Sequence, residues 1–144
     1  MRRFEVVKDC PFPVKLPERK TEGSAGYDFY VPYPFAIGPG QTLLVKTWVK
    51  AKMPKGEFLK IWLRSSWGVK RGMELRCSGI IDSDYYENPT DDGNIMLAIH
   101  NFGDAEQRVE AGERIAQGIF IRYETVDGDK ATGVRTGGYG STGK

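Results

Sequence analysis

Short apolar runs alternate with polar, turn-forming gaps along the whole chain. Runs at Phe4–Val7, Thr42–Val49, Phe58–Leu63, Gly79–Ile81, Ile95–Ile99 and Ile115–Tyr123 have strand length. They are rich in Val, Ile, Phe, Tyr and Trp, residues that suit a pleated, half-buried surface. No long window keeps the spacing of an amphipathic helix. One short helix is predicted within Ser65–Glu74, interrupted by Gly68 and Gly72. Many short strands separated by turns predict an all-β sandwich or barrel, and 144 residues fit one domain. The chain shows no internal repeat.

Charge and composition narrow the function classes. Lys and Arg number 21 against 19 Asp and Glu, a net charge of +2. That balance predicts no stable nucleic-acid partner, which would call for a basic excess. Met1 to Cys10 has arginines but no apolar stretch of a signal peptide, and no run approaches the roughly 20 residues that span a bilayer. Cys10 and Cys77 stand far apart in no paired motif, so neither a disulfide framework nor a cysteine zinc site is expected. The expected setting is a reducing cytoplasm. His100 lacks any metal-ligand spacing and reads as structural. Trp48 and Trp62 sit within apolar runs and read as core or subunit-interface residues, not as stacking platforms for single strands.

Two segments depart from this pattern. Residues 86–93 read Tyr-Glu-Asn-Pro-Thr-Asp-Asp-Gly, rich in turn formers and carrying Glu87, Asp91 and Asp92. Burying those carboxylates without partners is costly, so the segment is expected to stand off the sheet in solvent. Residues 128–144 are glycine-rich, with Val134 and Tyr139 as the only large apolar groups. Such a stretch cannot order itself by burial alone. It is either a frayed end or an arm that orders on a ligand or a neighbouring subunit.

Four short segments carry candidate chemistry. In Gly79-Ile80-Ile81-Asp82-Ser83-Asp84-Tyr85 an apolar strand runs into two carboxylates and a tyrosine. In Arg64-Ser65-Ser66 a forked cation precedes two hydroxyls and a predicted helix start, a plausible phosphate seat. Arg135 to Gly143 offers glycine backbone N–H groups, the Ser141 and Thr142 hydroxyls, the Arg135 charge and a Tyr139 face. It lacks the Gly-Lys-Ser/Thr spacing of a phosphate-binding P-loop. Ala25-Gly26-Tyr27-Asp28 sets an acid within an apolar stretch.

In this order the four segments, with Gly112-Glu113-Arg114-Ile115-Ala116-Gln117, resemble the five signature motifs of the trimeric dUTPase family. The resemblance runs from Ser24 to the C-terminus. It implies a jelly-roll-like β-barrel over 1–127 and an arm over 128–144 that closes the active site. It also implies a homotrimer with active sites at subunit interfaces, cutting dUTP into dUMP and pyrophosphate. In that scheme Asp82 activates the water that attacks the α-phosphorus. Tyr85 lies under the deoxyribose, and backbone around Ser78, Gly79 and Met96 reads uracil. Arg64, Ser65, Ser66 and Gln117 hold the inner phosphates. Arg135, Gly138, Ser141 and Thr142 close on the outer ones, with Tyr139 over the base. Asp28 organises Mg²⁺, which the substrate phosphates and water hold, with no direct protein metal ligands. The chain departs from the family pattern in places: Ser66 stands where a glycine is usual, Tyr139 where Phe or His is, Arg76 where some members carry an asparagine, and Tyr86 to Gly93 replaces a tight hairpin turn. Two rival readings are a dCTP deaminase-like enzyme on the same fold and a non-catalytic regulatory β-barrel module. The first needs a glutamate where this chain has Ala98. The second leaves Asp82, Tyr85 and the phosphate-facing residues without a use.

Overall fold

The apolar runs form strands that pair antiparallel throughout. The computed structural model describes residues 1–77 and 79–140. In chain order they form β1 (Arg3–Val6), β2 (Tyr27–Tyr30), β3 (Phe35–Ile37), β4 (Thr42–Lys46), β5 (Val49–Lys52) and β6 (Glu57–Leu63). Then follow α1 (Ser65–Arg71), β7 (Met73–Leu75), β8 (Ile80–Asp82), a 3-10 turn Ser83–Tyr85, β9 (Met96–Asn101), β10 (Gln107–Val109) and β11 (Arg114–Arg122). The largest sheet has the order β2-β11-β6-β8, a second β4-β9-β7, and the pairs β1-β5 and β3-β10 complete a jelly-roll-like all-β fold.

The core follows from strand alternation. Leu59 and Ile61 of β6 are buried with Phe29 of β2 and Ile115 of β11, while Lys60 and Trp62 point away. Leu97 and Ile99 of β9 face the same interior. Trp67 is the buried anchor of α1 and donates its indole N–H to the Arg114 carbonyl at 3.1 Å. The helix ends at Gly72, whose φ of 64° closes the turn, with Lys70 and Arg71 in the last turn where cations suit the helix dipole. Trp62 is 39% exposed, so of the two roles expected for it only an interface remains open.

The run Thr42–Val49 is two strands, not one. Trp48 has a φ of 60°, and its N–H donates to Asn94 Oδ1 at 3.0 Å. Thr47 donates its hydroxyl to the Ile95 carbonyl. These side-chain bonds turn the chain from one sheet to another, a tertiary effect invisible to alternation.

The 86–93 segment does not stand off in solvent, as its composition had suggested. Lys50 is 3% exposed, and its ammonium lies 3.2 Å from Glu87 and 2.9 Å from Asp92. The Lys8 N–H also donates to Asp92, at 2.8 Å, and the Tyr86 hydroxyl reaches Glu5. The carboxylates therefore have partners, which removes the cost that argued for solvent. Burial opposes ionisation of Asp92, but the bonds from Lys8 and Lys50 outweigh it and hold its carboxyl below the ordinary 3.8. This contribution to stability is present above that value and fades as pH falls through the lower folded one. Replacing Glu87–Asp92 by an Asn-Gly turn strips Lys50 of both carboxylates. It is expected to cost roughly 3–5 kcal/mol, as for a buried ion pair losing one side. The denaturant midpoint measures this; an unmoved midpoint would mean that Lys50 finds other partners.

Candidate active site

β8 brings its carboxylate to the surface by a glycine start. Gly79 has a φ of 64°, and a Cβ there would lie 2.6 Å from the Ile61 carbonyl oxygen. Only glycine allows this approach, which lets Ile61 N–H donate to the Gly79 carbonyl at 2.8 Å. β8 then runs beside β6, pairing Ile80 with Lys60 and Asp82 with Phe58. The 3-10 turn after Asp82 drops Tyr85 inward, where it is 4% exposed. Burial first, then its hydrogen bond to Asp91, pushes the Tyr85 phenol well up, so it stays a neutral donor.

A cavity of about 210 Å³ opens between Gly79, Asp82, Tyr85 and Met96 on one side and Arg135, Gly138 and Tyr139 on the other. Arg135 donates Nη2 to Asp82 and Nε to Asp84, each at 2.6 Å. Burial works against its charge, but the two carboxylates outweigh that and hold the guanidinium above its ordinary value. Gly138 lies on the Tyr85 ring: a Cβ there would stand 2.6 Å from Cε2. The Tyr139 hydroxyl accepts from the Met96 N–H at 3.0 Å and donates to the Met96 carbonyl at 2.8 Å. Met96 thus presents a donor beside an acceptor, the complement of a planar imide edge with its carbonyl next to an N–H. Through Tyr139 the C-terminal segment makes contact with the Met96 backbone of its own chain.

A second cluster lies at the opposite end of the large sheet. Asp28 of β2, Gln117 of β11 and Trp62 of β6 stand abreast in register. Asp28 accepts from Arg114 Nη1 at 2.9 Å, and Arg64 Nε is 3.9 Å from its other oxygen. Ser65 and Ser66 open α1, and no side-chain hydrogen bond caps that helix. Arg64 and Asp82 flank β6 at its two ends. Asp82 pairs with Phe58, six residues before Arg64, so on the order of 20 Å of strand separates them.

The structure therefore brings Gly79, Asp82, Tyr85, Met96, Arg135, Gly138 and Tyr139 together, and Asp28, Arg64 and Gln117 together elsewhere. Ser78, Ser141 and Thr142 lie outside the described residues. Asp84, Thr90, Asp91 and Arg114 carry no site role in the sequence reading. Asp84 had a signal in its place beside Asp82, whereas Thr90 had none, because its contact with Thr136 is tertiary. Among the described residues, no group of three or more His, Cys, Asp or Glu side chains is gathered to hold a metal. No helix among them is long and apolar enough to cross a membrane.

This geometry agrees with what the chain resembles. The family model for dUTPase matches residues 13–143. The deoxyuridine 5'-triphosphate nucleotidohydrolase of Lactococcus lactis is 43% identical over 147 residues, covering 99% of this chain and 98% of that protein. The crystal structure of the dUTPase of Streptococcus mutans superposes with a TM-score of 0.81 at 42% identity, covering 87% of this chain and 98% of that one. A point mutant of the dUTPase of phage phi11 of S. aureus, whose structure describes the coordination of a structural Mg(II) ion, shares the fold at a TM-score of 0.75 and 17% identity, covering 91% of this chain and 96% of that one. A family match over almost the whole length, with the motif residues gathered around one cavity and one sheet end, places this chain in the dUTPase family.

Proposed function

We propose that this protein is a dUTP diphosphatase, hydrolysing dUTP to dUMP and pyrophosphate. The observation that carries the reading is the cavity with Asp82 at its rim and the Met96 donor–acceptor pair within it. The uracil carbonyl and N3–H take the Met96 N–H and carbonyl that the Tyr139 hydroxyl now holds. The Tyr139 ring then lies over the base, and the deoxyribose rests on Tyr85. The polyphosphate draws Arg135 away from Asp82 and Asp84. Asp82, so released, takes a proton from a water whose oxygen bonds to the α-phosphorus. The bond from that phosphorus to the bridging oxygen breaks, and pyrophosphate leaves with the electron pair.

Arg64 and Gln117 cannot reach the same α-phosphate as Asp82 within one chain, because β6 separates them. A second copy supplies them, and the resemblance sets the number of subunits at three. The exposed Trp62, beside Gln117, suits that contact. Residues 128–144 act as an arm over a core formed by 1–127, with Ser141 and Thr142 on the outer phosphates. Ser65, Ser66 and Ser78 complete the phosphate and base contacts. Mg²⁺ fits as an ion carried by the triphosphate, with Asp28 organising its waters, and neutralises phosphate charge when bound. The unpaired Cys10 and Cys77 suit a cytoplasmic setting.

The test is pyrophosphate release from dUTP, dCTP and UTP, with mass in solution measured alongside. Release from dUTP alone by a trimer is expected; no release from dUTP, or a fully active monomer, would overturn the reading. Tyr139→Phe removes the hydroxyl that competes for Met96. KM for dUTP is expected to fall roughly two- to tenfold, the range of a neutral hydrogen bond. A raised KM would mean that the hydroxyl assists the substrate.

A further inference from the structure

Tyr85 is held from below by the 86–93 tip. Its hydroxyl lies 2.6 Å from Asp91 Oδ2 and 2.8 Å from the Asn94 carbonyl. One phenolic proton cannot serve two acceptors fully, and the shorter bond is to the carboxylate. Asp91 is itself fixed. Its Oδ1 accepts from Asn88 Nδ2 at 2.6 Å and from the Gly93 N–H at 3.0 Å, and Asn88 also donates to the Tyr85 carbonyl at 2.8 Å. Asn88 is 5% exposed, and its Oδ1 accepts from the Thr90 and Asp91 N–H groups. Asn88 and Asp91 thus form a network within the tip that holds Tyr85 at both its carbonyl and its hydroxyl. Gly138 lies against the ring itself, and Thr90 donates its hydroxyl to the Thr136 carbonyl. A two-residue turn could supply none of these bonds.

We propose that Asp91 is a positioning residue for sugar selection: through the Tyr85 hydroxyl it locks the ring at the height that leaves room for a 2′-deoxyribose and none for a 2′-hydroxyl. This rests on the reading of Tyr85 as the residue under the sugar. Aromatic rings are specified by two torsions only, and a phenol anchored at its far end loses the tilt that packing alone would allow. A ring free to tilt by a fraction of an ångström admits the extra oxygen. Discrimination is therefore the property that depends on Asp91, more than turnover of dUTP.

The quantity to measure is the ratio of kcat/KM for dUTP over UTP in the full-length protein. Asp91→Ala is expected to lower the ratio about tenfold or more, the scale of a hydrogen bond to a charged group. Tyr85→Phe, which deletes the same bond and leaves the tip intact, is expected to lower it by a similar factor. The double variant is expected to fall no further than either. Asp91→Asn is expected to keep the ratio within a few-fold, because its amide can donate to the phenol oxygen while the phenol proton turns to the Asn94 carbonyl. If Asp91→Ala does not fold, Tyr85→Phe alone decides: an unchanged ratio overturns the proposal. Additive losses in the double variant, or equal kcat/KM losses for both nucleotides in Asp91→Ala, overturn it and leave Asp91 a structural residue. Tyr85→Ala separates the two layers. A collapsed ratio there with an unmoved one in Asp91→Ala overturns the inference alone. An unmoved ratio in Tyr85→Ala overturns both the inference and the sugar-facing reading on which it stands.

Discussion

Replacing Asp82 by Asn is expected to lower kcat for dUTP by roughly 10²–10⁴, the range of a lost general base. The substitution keeps the shape and one acceptor oxygen while removing the charge and the basicity. Folding is expected to be unaffected, since Asp82 is exposed at the end of β8 and Phe58, its backbone partner, keeps its pairing. Nucleotide binding is also expected to persist, because in the proposed mode the base is read at Met96 and the phosphates are held by arginines. Arg135 retains Asp84 as a partner at 2.6 Å, so the arm keeps half of its anchor. The measurement pairs kcat with the dissociation constant of a non-hydrolysable dUTP analogue. A kcat loss below tenfold with binding intact would move the base elsewhere, and Asp84 would be the next residue to replace.

What the sequence conveyed, and what it did not, divides along a physical line. β6 and β11 are long, apolar and buried on one side, so alternation marks them well. β2, β3, β7 and β10 are three or four residues long and escape detection. Strands so short carry no period; β1 and β8, no longer, are marked only because they fall in the apolar runs Phe4–Val7 and Gly79–Ile81. The break at Trp48 was hidden for a related reason. Its φ of 60° is imposed by Asn94, 46 residues away. The 86–93 tip shows the limit of reading charge by composition. Its carboxylates implied solvent until Lys50 of β5, Lys8 just beyond β1 and the neighbouring Tyr85 hydroxyl supplied partners. Site residues were legible where chemistry is written locally, as in Gly79 to Tyr85. The separation of Asp82 from Arg64 along β6 was not, because the order of motifs along the chain says nothing about their distance in the fold.

Ending the chain after Val134 is expected to abolish efficient turnover while sparing the fold. The segment before the cut makes little contact, with Val126 78% and Val134 89% exposed. What the truncation removes from the folded chain is mainly the Arg135 bridges, the Gly138 contact and the half-exposed Tyr139. Partly exposed pairs of this kind contribute little, so the loss in stability is expected near 1 kcal/mol or below. The effect on catalysis is of another size. Arg135 is the cation nearest to Asp82, and a donor directed at developing phosphate charge is worth about 10²–10³ in rate in a closed site. kcat/KM for dUTP is expected to fall by at least that factor. The same cut gives a contrary result for a ligand without the outer phosphates. Removing Tyr139 frees the Met96 N–H and carbonyl, and removing Arg135 uncovers Asp82. Inhibition by dUMP should therefore change by less than about threefold, since the lost stacking is offset by the vacated hydrogen-bond pair. Parallel losses for dUTP turnover and dUMP binding would mean that the segment builds the base pocket itself. Normal turnover of dUTP by the truncated chain would mean that residues 135–144 have no part in closing the site.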